Sequence, residues 1–343
     1  MADALISPAV GGTMLATAAG LVGYSSRKLK KEMDDFKIPL MGVMGAFIFA
    51  AQMINFTIPA TGSSGHIGGG ILLAVLLGPY AAFLTITSVL VIQALFFADG
   101  GFLALGCNVF NLGFFPCMII YPLVFRRMMG GSFTRWRLLI STTVATVLGL
   151  QLGAFCVVLE TMASGISELP FGTFVLMMQP IHLAIGIVEG LASAAVIMFI
   201  HSMQPELVTG TAAPAGSSSF RKTAVAILAA AVVIGGFFSW FASTHPDGLE
   251  WSMFKTAGVE ELVRSDKSIY QTLESIQKKT AILPDYSFRS QTEGKAPGED
   301  QSWPAANAGT SLSGILGGLF VLALAVVTGL LLRRRKVIAS TKR

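Results

Sequence analysis

Charge is scarce in this chain. Asp, Glu, Lys and Arg make up 13% of its 343 residues against 53% hydrophobic, and the mean hydropathy is +0.69. Soluble domains carry about 25% charged residues, so an ordinary water-exposed globular enzyme is excluded. Cysteine is almost absent too. Cys107, Cys117 and Cys156 all lie within apolar stretches, which reads as small buried thiols rather than a disulfide framework or a thiolate metal site. Three catalytic signatures are missing. Without G-x-x-x-x-G-K-[ST] the chain does not itself bind ATP through a P-loop. The absence of H-E-x-x-H disfavours a zincin-type protease, and without G-x-S-x-G the chain lacks a hydrolase nucleophile elbow. No basic segment precedes the first apolar stretch, so a cleaved signal peptide is not expected.

What is present is apolar length. A crossing needs about 20 apolar residues for a hydrocarbon core of about 30 Å, and such stretches recur from end to end. The fold class expected is therefore all-α: a polytopic membrane helical bundle in contact with lipid. The net charge of +5 sits beside the spans, so it reads as a topology signal, with no nucleic acid as partner. Residues 27–37 (RKLKKEMDDFK), 126–137 (RRMMGGSFTRWR), Arg221 with Lys222, and 333–336 (RRRK) are basic. The connections near 57–70, 98–101 and 161–170 hold no Lys or Arg. The positive-inside rule puts the basic segments in the cytoplasm.

Spans at about 8–25, 38–56, 80–98, 102–125, 138–160 and 179–201 leave the parity one crossing short. A seventh, 66–78, is cut off by Gly78-Pro79 and is too short to span alone. It completes the crossing if the loop ahead of it, SSGHIGGG at 63–70, dips into the membrane, where non-helical backbone is tolerated only inside protein or against a polar cavity. The domain organisation expected is a seven-span unit over 1–202, a linker over 203–220, and a second unit over 221–343. That second unit has a helix at 223–242, an extracytoplasmic segment at 243–309 with an amphipathic helix at about 258–280, and a returning helix at 311–332. The amino terminus lies outside, the carboxyl terminus in the cytoplasm, and the compartment is the plasma membrane.

Of the four histidines, His66 stands out, because its small flexible neighbours let an imidazole approach a ligand closely. Imidazole suits Ni, Co, Cu and Zn; the bland alternative is a loop histidine bonded to backbone. His182 and Glu189 are seven positions apart and share a helix face. A carboxylate inside a span is a functional candidate by default, although packing within the bundle explains Glu189 equally simply. Gly186, Gly190 and Ala194 form a small-residue stripe for close helix approach. Asn55 and Asn111 are expected near the cavity, and Gln52, Gln93, Asp99 and Asn108 are further polar groups in or beside spans. His201 reads as interfacial and His245 as a solvated loop residue.

The stretch 38–66, IPLMGVMGAFIFAAQMINFTIPATGSSGH, together with LLGPYAAFLTITSVLVIQALFFADGGFLALGCNVFNLG and IHLAIGIVEG, resembles the CbiM/NikM family over about residues 1–202. The tail, with HPDGLEWSMFK and AILPDYSF, resembles a PDGLE-type, CbiN-like module fused to the carboxyl end. The resemblance implies the substrate-specific membrane component of an energy-coupling factor importer for Co²⁺ or Ni²⁺. It implies no enzyme activity and no permanent cofactor. The implied partners are a transmembrane coupling subunit and two ATPase subunits, with Gly11, Ala16, Ala19, Gly20 and Gly23 as one possible contact face and internal packing as the other reading. The implied metal ligands are the Met1 amine, a histidine at the second position, and His66. Asn55, Asn111, His182 and Glu189 would then be supporting or structural groups. This chain departs from the family here: it begins Met1-Ala2-Asp3-Ala4, a family form without its leading Met-His. Either the natural chain starts two residues earlier or this variant lacks that ligand. An intramembrane metal-dependent enzyme and a facilitative metal channel remain as alternatives.

Overall fold

The computed structural model describes residues 1, 3–32, 36–130, 133–166, 169–209, 218–258, 268–288 and 304–341. Six helices are long and apolar enough to cross a membrane: Pro79–Phe97 (α4), Leu105–Met129 (α5), Arg135–Ser164 (α6), Phe171–Met203 (α7), Ser218–Gly236 (α9) and Ala308–Arg333, the apolar part of α12 (Ala308–Thr341). Before them come α1 (Pro8–Glu32) and α2 (Lys37–Gln52), then a short α3 (Gly70–Leu77). The sequence explains the joints. Gly78 sits at φ +80 and Pro79 opens α4, so the chain breaks where a left-handed residue meets a residue that cannot continue the preceding helix. The eight residues of α3 extend only about 12 Å at 1.5 Å per residue, well short of a crossing. Thr134 caps α6, its side chain accepting from Arg137 N at 3.2 Å, and Gly165 at φ 60 ends it.

Two faces of α6 and α7 show the solvent they meet. Ile140, Leu152 and Leu159 on α6, with Leu183, Ile187 and Leu191 on α7, are all exposed, an apolar surface suited to lipid. The facing sides lack bulk. A Cβ on Gly186 would lie 2.9 Å from Val147 Cα, and one on Gly190 2.5 Å from Thr143 Cα, so these glycines set the close approach of the two helices.

The structure adds detail to three expectations. The fold is not helix alone: Phe56–Ile58 (β1) and Ser63–Gly65 (β2) pair antiparallel, Phe56 opposite Gly65 and Ile58 opposite Ser63. Strands of three residues are too short to show a period of two. Of the amphipathic helix expected at about 258–280, Ser268–Thr280 is helical (α11) and residues 259–267 lie outside those described; a separate helix, α10 (Gly248–Ala257), precedes it and ends at Gly258, φ +76. The linker expected at 203–220 holds a short helix, α8 (Pro205–Thr209), and the start of α9; its residues 210–217 lie outside those described.

Ring contacts gather the basic joints at one end of the bundle. Phe36 packs on Phe220 with centroids 4.3 Å apart, and Phe133 stacks on His201 at 3.8 Å. The opposite end holds Met1, the hairpin and the polar segment that follows α9. Residues of α12 close the unit by packing on α2, where a Cβ on Gly45 would lie 2.8 Å from Val321 Cγ1, and on α4, where the Phe96 and Phe320 rings lie 4.9 Å apart.

Candidate metal site

A cavity of about 130 Å³ opens at this end, walled by Met1, His66, Asn108, Asn111, His182, Asp247 and Gly248 among others. Pockets for organic ligands run to about 300–1,000 Å³, so this space suits an ion and its ligands. Its floor is the loop that carries His66, fixed from inside the bundle. Glu189, 2% exposed on α7, accepts from Gly68 N at 2.7 Å and Gly69 N at 2.8 Å. Gln52 Nε2 donates to the Gly68 carbonyl at 3.0 Å, and Gln93 Nε2 donates to Gln52 Oε1 at 2.9 Å. Buried non-helical backbone must be satisfied within the protein, and two polar side chains, Glu189 and Gln52, do so here, with Gln93 holding Gln52 in place.

The His66 ring contacts the Ile67 carbonyl through Nδ1 at 3.2 Å. A carbonyl only accepts, so in the neutral ring that nitrogen carries the proton and Nε2 is the one left to a ligand. Asn111 Nδ2 donates to Glu160 Oε2 at 2.8 Å, while its Oδ1, buried, has no partner among the described residues. Cys156 Sγ lies 3.7 Å from the other Glu160 oxygen. All three cysteines are free. Among the described residues, no three His, Cys, Asp or Glu side chains converge as a ready ligand set.

The amino-terminal segment enters the same cavity. The Met1 carbonyl accepts from Gly101 N at 3.2 Å and Asn108 Nδ2 at 3.5 Å; Asp3 Oδ1 accepts from Ala104 N at 2.9 Å. Leu5 and Ile6 are fully buried. The Tyr270 hydroxyl of α11 donates to the Ile6 carbonyl at 2.9 Å, and burial, then the nearby Asp3, pushes its phenol up from the ordinary value. That keeps it a donor.

The polar segment after α9 forms the roof. Ser64 N donates to the Pro246 carbonyl at 2.8 Å, and Ser64 Oγ donates to the His245 carbonyl at 2.8 Å. Trp251 Nε1 donates to the Thr61 carbonyl at 2.9 Å. Gln277 Nε2 donates to the Gly100 carbonyl at 2.7 Å, and the Tyr286 hydroxyl to Asp99. Burial first and then Asp99 raise the Tyr286 phenol well above its ordinary value.

Residues 1–207 match the family model described as CbiM, cobalt uptake substrate-specific transmembrane region, and residues 221–334 match the PDGLE domain. The chain belongs to the CbiM family. Within it, the chain is 32% identical over 328 residues to a protein of Archaeoglobus fulgidus assigned by inference as the fused nickel transport protein NikMN, covering 94% of this chain and 95% of the relative. The CbiM cobalt transport protein of Sorangium cellulosum is 29% identical over 52% of this chain and 80% of its own length. A crystallised transition metal transporter superposes with TM-score 0.53 at 28% identity, over 60% of this chain and 94% of that one. This CbiM-family chain is thus a metal transport protein of the membrane, with a CbiN-like PDGLE unit fused to it, and not an enzyme.

Of the residues singled out in the sequence, the structure brings Met1, His66, Asn111 and His182 to one cavity. Glu189 lies beneath, bonded to the loop. Asn55 is not among the wall residues; its carbonyl accepts from Ser243 N at 2.7 Å, under the roof. Sequence reasoning missed Glu160 and Asp247. The rule that marks Glu189, a carboxylate within a span, applies equally to Glu160. The Asp-x-x-Glu spacing of a capping box marks Asp247.

Proposed function

We propose that this chain captures divalent cobalt or nickel from outside the cell and passes it inward as the substrate-specific subunit of an energy-coupling factor transporter. One observation carries the reading: His66, with Nε2 free for a ligand, and the inserted amino-terminal segment share the walls of one ion-sized cavity. Imidazole and amine nitrogens suit Co²⁺ and Ni²⁺. The metal is substrate here, not a resident cofactor. The chain then crosses the membrane nine times, seven in 1–202 and two in 221–343, with α3 and its loop counted as one crossing. The amino terminus is outside and the carboxyl terminus cytoplasmic, in keeping with the basic joints gathered at the end away from the cavity.

Coupling to a separate transmembrane subunit and two ATPases drives release. Gly12, Gly20 and Gly23 of α1 support a partner-facing stripe, since a Cβ on each would meet nothing within 4 Å. Gly11, by contrast, packs inward against Leu103.

Co²⁺ and Ni²⁺ titration of the full chain by calorimetry tests the site. Outer-shell changes cost about 10–100-fold in metal affinity, so removal of a direct ligand in His66→Ala is expected to exceed about 100-fold. Adding Met-His ahead of Met1 is expected to tighten binding. Unchanged affinity in His66→Ala sinks the assignment. Metal flux through the isolated chain in liposomes without ATP would favour a channel instead.

A further inference from the structure

Two wall residues are used neither by the His66 loop nor by the amino-terminal segment: His182 of α7 and Asp247, the residue that caps α10. His182 Nδ1 meets the Met178 carbonyl at 2.8 Å, so Nδ1 is the protonated nitrogen. Its Nε2 makes no hydrogen bond among the described residues. Asp247 Oδ1 accepts from Leu249 N and Glu250 N, both at 2.8 Å. Its Oδ2 likewise makes no hydrogen bond among the described residues. The turn rests against the ring: a Cβ on Gly248 would lie 3.3 Å from His182 Cε1, and Asp247 is within electrostatic reach of that imidazole. Both residues line the cavity that holds His66.

We infer that His182 Nε2 and Asp247 Oδ2 form an entry subsite for a divalent cation where the two units meet, occupied before the ion reaches His66. This rests on the proposed function. One nitrogen and one oxygen suit a borderline transition metal that still holds most of its water. Two ligands bind weakly. The positive end of α10 weakens the cation further. Such a site passes an ion on rather than storing it. Asp247 belongs to the fused unit, so the PDGLE turn supplies part of the path.

The test uses the full chain in nanodiscs, with Co²⁺ loading followed by stopped-flow absorption. Asp247→Asn keeps a good N-cap while removing the charge; His182→Gln removes the imidazole. Each is expected to slow loading by about tenfold, with a smaller loss of equilibrium affinity. The double variant is expected to be no slower than the slower single one, as one shared site requires. Wild-type loading by Asp247→Asn overturns the inference, as do single effects that multiply in the double variant. A His66→Ala chain that still binds tightly defeats the proposed function while leaving the rate comparison interpretable. Loss of binding in His66→Ala with wild-type loading in both other variants defeats only the entry subsite.

Discussion

Around His66 the backbone is gripped by side chains from two helices, with the carboxylate of Glu189 on two amides and Gln52, itself held by Gln93, on a carbonyl. Around Asp247 it is held by its own capping box and by neutral hydrogen bonds to the hairpin. The difference is energetic. Hydrogen bonds to a charged group contribute about 1.5–3 kcal/mol, neutral ones about 0.5–1.5; the carboxylate bonds of the capping box stay within its own turn and do not tie it to the hairpin. Those under His66 are buried, where water cannot replace a lost partner; the Trp251 and Ser64 bonds of the roof are only partly so. The floor is therefore the fixed part of the cavity, and the roof is the part that can separate from it.

The sharpest way to break this contrast is Glu189→Ala. It leaves Gly68 N and Gly69 N buried without an acceptor, at about 1–3 kcal/mol each. The loop is expected to lose its shape, with Co²⁺ affinity down by more than about 100-fold and a lower melting temperature. Glu189→Gln still offers one acceptor and is expected to fall between. Calorimetry with a thermal melt decides it. A Glu189→Ala chain that binds metal normally would mean that the carboxylate does not set the floor.

Much of this floor was legible. The six long apolar helices follow from apolar length, the break before α4 from Gly78-Pro79, and Glu189 from the cost of a charge inside an apolar stretch. The roof was not. Contact between Gly248 and the His182 ring joins residues far apart in the chain, and no local pattern encodes a long-range partner. The strand Ser63–Gly65 carries no alternation of apolar and polar residues to betray it. Asn55 was expected at the cavity because an amide beside a span invites a polar role; its carbonyl instead serves the polar segment above. Capping chemistry makes the start of α10 readable, but not the surface on which it lands.

Gly248→Ala probes the roof, with a smaller expected effect. The added methyl would lie 2.7 Å from Ile181 Cγ2 and 3.3 Å from His182 Cε1. Overpacking of this kind costs about 1–3 kcal/mol, here spent on lifting the turn. Hydrogen exchange reads it site by site: Ser64 N, bonded to the Pro246 carbonyl, is expected to exchange at least about tenfold faster. Gly68 N and Gly69 N are expected to keep their protection. Equal acceleration at all three amides would show that floor and roof open as one unit, and the contrast would fail.

The mildest probe lies where roof and amino-terminal segment meet. Tyr270→Phe removes the donor to the Ile6 carbonyl, a neutral bond worth about 1 kcal/mol, or roughly fivefold in how firmly the segment is seated. Because burial and Asp3 raise the phenol above its ordinary value, its contribution is fully present below the unfolded value of about 10 and is lost only as pH rises through the folded value. The ratio of wild-type to Tyr270→Phe metal affinity is therefore expected to stay flat between about pH 6 and 9. A ratio that changes across that range would mean that some group other than this hydroxyl couples the PDGLE unit to the inserted segment. A ratio of one throughout would mean that seating the segment does not limit metal binding, leaving the roof to act on loading alone.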